Sequence, residues 1–456
     1  MGNGKARCNV TSLRSPARHC CDMQVHCLRR CEITRRIPHI RKKPTHRPGW
    51  IATQPRRRLQ TQAGILLAVY FPMRDSACAI AALLLRVEFT NMSEESRALI
   101  TNLKTDCRHY RGDRPCAPHS RAGKRCQCDE YLPIKRRGVI IKLGAAGDVL
   151  RTTPLLRSLS AAGSDCHVLW VTHSPELLPD EACEAVRPTA ATLARLQSSH
   201  WDFCWNLDKD MEACALAAVT RADEVKGFTL KNGVPAPVDE AAWHKFATGV
   251  DDAYSRSNHL SYVEEIFQIV GLPFERQEYW LKSPGKAAQS RAAELLPGQG
   301  WVGLNTGAGH RWPTRLWPES AWTKAAADLR NMGLKPVLLG GPEELELNGR
   351  LAHQTGCPWL GVQSLDVFYA MIERCDCIVT SVTQAMHLAI GAKVPLVLMN
   401  NIFNPHEFEL YGRGEVLGPP KACDCFYQPK CKTGRNCMTE ILPETVVEAV
   451  KRATKR

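Results

Sequence analysis

A β-strand, a glycine-containing turn, a helix and a second strand follow one another in this chain and constrain its fold more than any other feature. Residues 138–143 form a short apolar, β-branched run that is typical of a buried parallel strand. The turn over 144–148 reads Gly-Ala-Ala-Gly-Asp, leucines at helical spacing follow across 149–161, and an apolar run over 167–171 suits a second strand. This order predicts a parallel sheet with a right-handed crossover.

The same alternation restarts in the second half of the chain. Apolar runs that suit strands occur at 301–304, 336–340, 377–380 and 395–399, with helical patterns over 254–270, 318–332 and 384–392. A stretch over 281–300 that contains Pro, Gly and Lys reads as the connection between two domains. We therefore expect an α/β fold with two successive parallel-sheet domains and a cleft between them, over residues 138–285 and 296–450.

Positive charge is concentrated at the start of the chain. The formal net charge is +14, but residues 1–91 hold 17 Lys and Arg against 4 Asp and Glu, which leaves 43 against 42 for the rest. The nearly neutral body argues against a nucleic-acid-binding protein. Residues 1–91 read as a disordered basic tail or as a mis-assigned leader with translation starting at Met92, and residues 92–137 as a Cys-rich N-terminal segment.

Asp148 has two interpretations. It stands at the entrance of the predicted helix, where Asp is a favoured N-cap that bonds the free backbone N–H groups. The same N–H groups and the helix dipole keep a carboxylate ionised, and an ionised carboxylate at the mouth of a cleft can take a proton from an acceptor hydroxyl. The loop is not a dinucleotide fingerprint, because Gly-x-Gly-x-x-Gly is absent.

Six motifs in order resemble glycosyltransferase family 9, the ADP-heptose:lipopolysaccharide heptosyltransferases and their relatives. They span about residues 138–450 and lie at 141–156, 305–309, 315–319, 340–343, 385–389 and 406–412. The resemblance implies a GT-B fold, with the acceptor on the N-terminal domain and the donor on the C-terminal one. It also implies that Asp148 is the general base of an inverting transfer, with Gly144 and Gly147 in the acceptor-side loop.

The resemblance further implies the substrates and the location. The donor would be a nucleotide-diphosphate sugar similar to ADP-heptose, and the acceptor a lipid-linked glycan similar to the lipopolysaccharide core. Catalysis would need no metal or other cofactor, because cationic side chains and helix N-termini can neutralise the leaving diphosphate. We expect a cytoplasmic enzyme that contacts the inner face of the membrane peripherally and binds no nucleic acid.

The donor side is expected in the C-terminal domain. Glycines follow the first strand there and could cradle a diphosphate through backbone amides, and Arg315 supplies positive charge unless it is a surface arginine. An acidic residue after the next strand could bind ribose hydroxyls, with Glu343, Glu344 and Glu346 as alternatives. His387 follows a helix N-terminus that would face phosphate, although a lone helical His is often structural. The candidate donor-binding residues are Thr306, Gly307, Gly309, Arg315, Glu343, Thr383 and His387.

Two departures from the family pattern leave the donor open. Family members commonly carry an Asp where this chain has Val382, and residues 400–404 replace the usual end of the last strand. The departures leave a non-catalytic sugar-nucleotide-binding protein as the alternative to an active transferase.

Cysteines form two clusters outside the leader. One comprises Cys107, Cys116, Cys126 and Cys128, and the other, in the loop 423–437, comprises Cys423, Cys425, Cys431 and Cys437. Four thiolates suffice for a closed tetrahedral zinc site, although neither spacing is that of a zinc ribbon. Structural zinc, an iron–sulfur cluster, and free or disulfide-paired cysteines all remain open. A zinc-bearing nucleic-acid module is a third functional hypothesis, which the neutral body disfavours.

Overall fold

The computed structural model of the chain describes residues 93–161, 165–309 and 311–455. The leader over 1–91, interpreted above as a disordered tail or a mis-assigned start, lies outside the described residues. The Cys-rich segment that follows carries two short helices, α1 (Glu94–Thr101) and α2 (Ala117–Ala122).

The first sheet has six strands in the order β3-β2-β1-β4-β5-β6, of which only β6 runs antiparallel to its neighbour. The strands are β1 (Arg136–Ile141), β2 (Cys166–Val171), β3 (Glu184–Val186), β4 (Trp201–Asn206), β5 (Ala222–Lys231) and β6 (Val234–Pro237). The helices are α3 (Ala146–Leu150), α4 (Pro154–Ala161), α5 (Ala190–Ser198), α6 (Met211–Val219), α7 (Glu240–Val250), α8 (Asp252–Ser257) and α9 (Tyr262–Val270).

The central strand β1 explains why this half folds as a parallel sheet. Val139, Ile140 and Ile141 are fully buried, and alternate residues enter different apolar clusters on the two faces of the sheet. Helices must therefore cover both faces, as crossover connections do. Gly138 has no side chain because the ring of Phe203 on β4 occupies the space that a Cβ would need.

Two helices predicted as continuous are interrupted, and side-chain bonds to the backbone explain both breaks. The helix expected over 149–161 is divided into α3 and α4, because the hydroxyls of Thr152 and Thr153 bond the carbonyls of Val149 (2.7 Å) and Leu150 (2.6 Å). The helix expected over 254–270 is divided into α8 and α9. There Ser261 starts α9 afresh through a capping box.

The second sheet has five parallel strands in the order β11-β10-β9-β7-β8. The strands are β7 (Trp301–Asn305), β8 (Lys335–Leu339), β9 (Cys377–Ser381), β10 (Leu396–Met399) and β11 (Gly414–Leu417). The helices are α10 (Lys286–Leu295), α11 (Glu319–Asn331), α12 (Leu345–Thr355), α13 (Leu365–Glu373), α14 (Gln384–Gly391) and α15 (Pro443–Thr454). The expectation of two parallel-sheet domains is confirmed.

The expected connection over 281–300 is more ordered than its composition suggests. It contains α10, which buries Ala288 and Ala292 and packs along α13 of the second sheet. Small alanines on one helix face allow this close approach, and the Pro and Gly residues lie outside the helix.

Polar contacts join the two domains away from the sheets. The buried Asn404 donates its side-chain N–H groups to the carbonyls of Ser255 (2.7 Å) and Asn258 (2.8 Å). Arg413 forms a paired interaction with the carboxylate of Glu278 at 2.7 and 2.8 Å. The cleft is therefore bounded by specific polar bonds that fix how the two sheets face each other.

Candidate functional site

The loops that follow β1 and β4 meet at the carboxyl edge of the first sheet. The strand order reverses direction between these two strands, and open α/β sheets bind ligands at such a point. The β1 loop leads from Lys142 to Asp148, and the β4 loop carries Asp208 and Lys209. The fold thus brings the predicted acceptor-side loop to the position where a ligand crevice is expected.

A buried ion pair fixes the shape of the β1 loop. Lys142 is 2% exposed and pairs with Asp208, whose other carboxylate oxygen accepts the backbone N–H of Gly144 at 2.7 Å. Burial acts to lower the pKa of Lys142, but Tyr262 and Asp208 outweigh it and the pKa is raised. Lys142 therefore stays charged, and the pair ties the loops of two neighbouring strands together.

Asp148 does not cap its helix, so the capping interpretation is wrong. The N-cap of α3 is Ala145, which has no side-chain oxygen, and Asp148 lies in the first turn. Its carboxylate instead accepts from Arg151 at 2.7 Å, and its side chain is 35% exposed. Burial acts to raise the pKa of Asp148, but Arg151, Lys142 and His387 outweigh it and lower the pKa to about 2. The carboxylate is ionised at neutral pH and remains open to the cleft.

Arg151 connects this carboxylate to the second domain. Its guanidinium lies between Asp148 and Glu407, 3.4 Å from the latter, and stacks on the ring of Tyr262 with its central carbon 3.3 Å from the ring centroid. Burial raises the pKa of Glu407 despite the nearby Arg151. One arginine therefore holds two carboxylates that come from opposite domains.

A cavity of about 460 Å³ opens above these groups. Both domains line it, since Arg311, Glu407 and Tyr427 of the second domain face the first. Its cationic lining residues are Lys142, Arg151, Lys209, Lys245 and Arg311, and its acidic ones are Asp148, Asp208, Asp252, Glu265 and Glu407. The cavity is large enough for a sugar, and Asp148 lies in its wall.

The second sheet also reverses its strand order, between β7 and β9, and the predicted donor residues gather there. Thr306 is 2% exposed, and its hydroxyl donates to the side-chain oxygen of Asn348 at 2.6 Å. Gly309 has a φ of +71°, a conformation that favours glycine. Thr383 is the N-cap of α14 and shares a hydroxyl bond of 3.0 Å with Thr380. Thr306 thus stabilises the loop through its buried hydroxyl, and backbone groups form the exposed surface of the loop.

Arg315 is buried rather than exposed on the surface, which excludes the alternative of a solvated arginine. It is 6% exposed, and its guanidinium donates to the carbonyls of Ala308 and Val382, which lie on the loops after β7 and β9. Burial lowers its pKa to about 10. Within the described part of the chain no carboxylate pairs with it, so its positive charge is not neutralised by the protein.

Of the three acidic alternatives after β8, Glu344 is the one whose contact with the glycine loop the structure describes in detail. Its carboxylate accepts the N–H of Gly341 at 2.8 Å, and its Cδ lies 2.6 Å from where a Cβ on Gly307 would be. Glu343, the residue selected from the sequence, and Glu346 are both exposed. The turn Pro342–Glu344 rotates Glu344 back toward Gly307, and no spacing rule reveals this rotation.

His387, predicted as a donor-site residue, contacts the first domain. It is buried at the contact of α14 with α3, where its Nε2 lies 2.7 Å from where a Cβ on Gly147 would be. Its Nδ1 is 3.5 Å from the hydroxyl of Tyr279, and burial lowers its pKa to about 3. His387 is therefore a neutral group in the domain contact, and Gly147 makes room for it. His310 lies outside the described residues.

A scan against protein families matches the model described as glycosyltransferase family 9 (heptosyltransferase) to residues 190–416, about half of the chain. The chain belongs to glycosyltransferase family 9. The matched span contains the donor loops, Arg315, His387 and Glu407, and the Asp148 motif precedes it. Family membership makes the chain a glycosyltransferase of the heptosyltransferase type.

The chain is similar to several solved structures. A family 9 glycosyltransferase from Veillonella parvula is 18% identical, with a TM-score of 0.53 over 71% of this chain and 98% of that one. E. coli heptosyltransferase WaaC with ADP is 17% identical, with a TM-score of 0.48 over 70% and 100% of the two chains. E. coli ADP-heptose LPS heptosyltransferase II is 16% identical, with a TM-score of 0.49 over 70% and 98%. No curated protein matches significantly.

The expected GT-B fold of family 9 is thereby confirmed, with two Rossmann-like domains around a cleft. Among the helices that the structure describes, none combines the length and apolarity needed to cross a membrane.

The C-terminal cysteine cluster of this family 9 chain converges in space. Thiol contacts join Cys423 to Cys437 and Cys425 to Cys431, and the four pack with Ile402 in one small apolar cluster. Backbone N–H groups donate to two of the sulfurs, from Cys425 to Cys423 at 3.3 Å and from Lys432 to Cys425 at 3.1 Å. Hydrogen bonds, first from the Thr433 hydroxyl, lower the pKa of Cys431 to about 6.

The N-terminal cluster is arranged more loosely. Cys107, Cys116, Cys126 and Cys128 all line one cavity of about 350 Å³. No group of three or more Cys, His, Asp or Glu side chains reaches ion-binding positions anywhere in residues 93–161, 165–309 and 311–455. The four C-terminal thiols therefore contact one another in pairs, whereas the four N-terminal ones share only a cavity.

Several site residues were missed at the level of sequence. The pairs Lys142–Asp208 and Arg151–Glu407 join residues far apart in the chain, and the ring of Tyr262 lies under Arg151. Lys142, Arg151 and Glu407 all fall inside motifs quoted above, which was the available signal. Nothing in the motifs indicates that these residues contact one another.

Proposed function

We propose that this chain transfers a sugar, heptose or a related one, from a nucleotide-diphosphate donor to a glycan acceptor, with Asp148 as the general base. The observation that carries the proposal is the Asp148 carboxylate, which is ionised, open to a cavity between two domains and not used to cap a helix. The acceptor oxygen forms a bond to the anomeric carbon while its proton passes to Asp148. The bond from that carbon to the diphosphate breaks, and the diphosphate leaves with the electron pair.

A carboxylate with a pKa of about 2 is a weak base for a free alcohol. It suffices here because the acceptor hydroxyl becomes strongly acidic only as its oxygen bonds the anomeric carbon. Arg151 then serves as a positioning residue, since it fixes the carboxylate at 2.7 Å and keeps it ionised.

The diphosphate is proposed to bind at the loops after β7 and β9. Arg315 joins those two loops through Ala308 and Val382 and keeps an unneutralised charge, and Gly307 and Gly309 leave their backbone amides accessible. Glu344 is the proposed ribose ligand because it reaches the loop, and Glu343 beside it remains a second proposed ligand. Thr383 and the start of α14 complete the site, and His387 supports it from the domain contact. These groups stabilise the leaving diphosphate without a metal ion.

The transferred sugar is proposed to be similar to heptose, because the family model is described as that of heptosyltransferases, and ADP-heptose is the donor that the resemblance implies. The acceptor is proposed to be a lipid-linked glycan of the lipopolysaccharide-core type, met by a cytoplasmic enzyme at the inner face of the membrane. Nucleic acid is not a proposed ligand, because the charge of residues 92–456 is nearly balanced.

The C-terminal cluster is proposed to hold a structural zinc ion through Cys423, Cys425, Cys431 and Cys437. Mutual thiol contacts and N–H bonds to sulfur are what four thiolates around one ion require. The ion would fix the loop beside Asn401, whose amide contacts the sulfur of Cys437 at 3.4 Å. It would take no part in the transfer.

A thermal-shift screen over nucleotide-diphosphate sugars identifies the donor, because a ligand of the folded state raises Tm. Asp148→Asn should then abolish transfer while preserving the donor-induced Tm shift. Asp223→Asn, on an exposed side chain of the same domain, is the matched control and should keep full turnover. Near-normal turnover of Asp148→Asn would exclude the base assignment.

The same screen tests the alternative of a non-catalytic binding protein. Replacement of the usual Asp by Val382 is the observation that favours it. Tight donor binding with no sugar transfer or donor hydrolysis for any glycan acceptor would establish that alternative, and transfer would exclude it.

A further inference from the structure

The interior of the Cys-rich segment over 93–132 differs in composition from an ordinary hydrophobic core. Three of its large apolar side chains are exposed, Ile100 by 41%, Leu103 by 37% and Leu132 by 40%. Six of its half-buried positions carry sulfur or imidazole, at Cys107, His109, Cys116, His119, Cys126 and Cys128, alongside Ser96, Arg108 and Tyr131. Side chains that can bind metals are thus concentrated at the partly buried positions of the segment.

No hydrophobic core explains why this segment folds. None of its described residues belongs to any of the four apolar clusters of the chain. Its helices α1 and α2 are too short to be stable by themselves. Segments below about 40 residues usually need disulfides, a metal ion or a partner to fold, and four cysteines with two histidines supply the first two options.

Three separate pieces of backbone bring these side chains around one cavity of about 350 Å³. Cys107 lies at an isolated β-bridge to Pro133, just before β1, so this ligand is anchored to the folded domain. Cys116 is the N-cap of α2 but makes no capping bond, which leaves its sulfur available. Cys126 and Cys128 follow α2 on one short loop. Four cysteines around one cavity are the number that a closed tetrahedral site needs.

The charges around the cavity favour an anionic centre. A zinc ion with four thiolates carries a net charge of −2. The cavity is lined by four cationic side chains, Lys104, Arg111, Arg114 and Arg125, against one carboxylate, Asp113, which lies 3.8 Å from Arg114. A pair of disulfides carries no charge and would not attract this excess of cations. The donor set and the surrounding charge therefore agree on a thiolate-bound divalent cation.

We infer that the segment is a zinc-binding module in which Cys107, Cys116, Cys126 and Cys128 are the ligands. Each thiol loses its proton as it binds, so zinc uptake releases protons to solvent. His109 and His119 line the same cavity and form its inner rim. No three such side chains stand at ion-binding positions in the described residues, so zinc binding would require these ligands to move closer together.

The test uses the full chain, purified under reducing conditions without chelator, with zinc and iron measured per chain. Replacing all four of these cysteines by Ser should remove one equivalent of zinc, as compared with Cys166→Ser, an isolated half-buried thiol in the same domain, as control. Replacing Cys423, Cys425, Cys431 and Cys437 by Ser reports the other cluster separately. The N-terminal replacement should leave donor binding intact, because the site lies outside the catalytic cavity.

Two further measurements keep the inference testable if the fourfold variant does not fold. Zinc added to chelator-treated wild-type chain should protect the bonds near residues 111–125 from proteolysis, and His109→Ala with His119→Ala should keep the zinc. Unchanged zinc content in the fourfold variant, iron in place of zinc, or four fewer titratable thiols in the denatured wild-type chain would each overturn the inference. The last result would identify two disulfides.

Discussion

Gly147→Ala tests the contact through which the second domain reaches the catalytic loop. A Cβ at this position would lie 2.7 Å from Nε2 of His387, which is 0.7 Å inside the 3.4 Å at which ordinary contact begins. The ring has no free side to move toward, because it is buried with Tyr279 stacked nearby at 6.3 Å between ring centroids. Overpacking of this kind costs about 1–3 kcal/mol.

This free-energy cost applies only to the arrangement of the two domains in which α3 contacts α14. A penalty of that size reduces the population of that arrangement about 5- to 150-fold where the domains can separate. We therefore expect kcat/KM to fall by a factor in that range, with a smaller loss of Tm than a core mutation would give. Kinetics at saturating donor together with differential scanning calorimetry measure both quantities.

A matched control and a double variant make the test specific. Gly349→Ala, in the middle of α12 with nothing within 4 Å of the added Cβ, should be neutral or slightly stabilising. Adding His387→Ala to Gly147→Ala removes the clash, so the double variant should be no worse than His387→Ala alone. Unchanged kinetics and Tm in Gly147→Ala, or strictly additive losses in the double variant, would refute the reasoning.

Three other substitutions give distinct outcomes. Arg151→Gln removes the strongest influence that lowers the pKa of Asp148, so the acid limb of the pH profile of kcat/KM should move upward from about 2; an unmoved limb would contradict this. Asp208→Asn leaves Lys142 buried without its partner and should lower the free energy of unfolding by about 3–5 kcal/mol in urea titrations, whereas a loss under 1 kcal/mol would contradict it. Glu344→Gln should raise the Kd for a nucleoside diphosphate about tenfold, by the loss of a charge-assisted hydrogen bond, and calorimetry showing unchanged affinity would remove Glu344 from the site.

The pH prediction for Arg151→Gln follows from the sign of the shift. The pKa of Asp148 is lowered in the folded chain, so its ionised form is present above about pH 2 and the wild-type base is active across the usual assay range. Without Arg151, burial acts to raise the pKa with less opposition, and activity is lost at a higher pH on the acid side. Glu407→Gln is the control, because it removes the other partner of Arg151 and leaves the Asp148 pair intact.

The sequence was sufficient for the strands and for the order of the motifs. Buried parallel strands need continuous apolar runs, and these are visible without any structure, as for Val139–Ile141. Helix boundaries were harder to predict from the sequence. The hydroxyls of Thr152 and Thr153 bond backward to carbonyls, and α3 and α4 are separated there. Threonine in a leucine-rich stretch is compatible with a continuous helix, and only the side-chain rotamers decide otherwise.

The charges around Asp148 could not be predicted from the sequence, for a different reason. Arg151 is close to Asp148 in sequence, but its second partner Glu407 is 256 residues away and lies on the other domain. A motif reports which residue types occur together along the chain, whereas the pKa of a carboxylate depends on every charge within a few ångströms. The base assignment could thus be inferred from a resemblance, but its electrostatic basis required the two domains to be placed face to face. Because Arg151 contacts both Asp148 and Glu407, the cation that keeps the base ionised lies at the contact between the two domains.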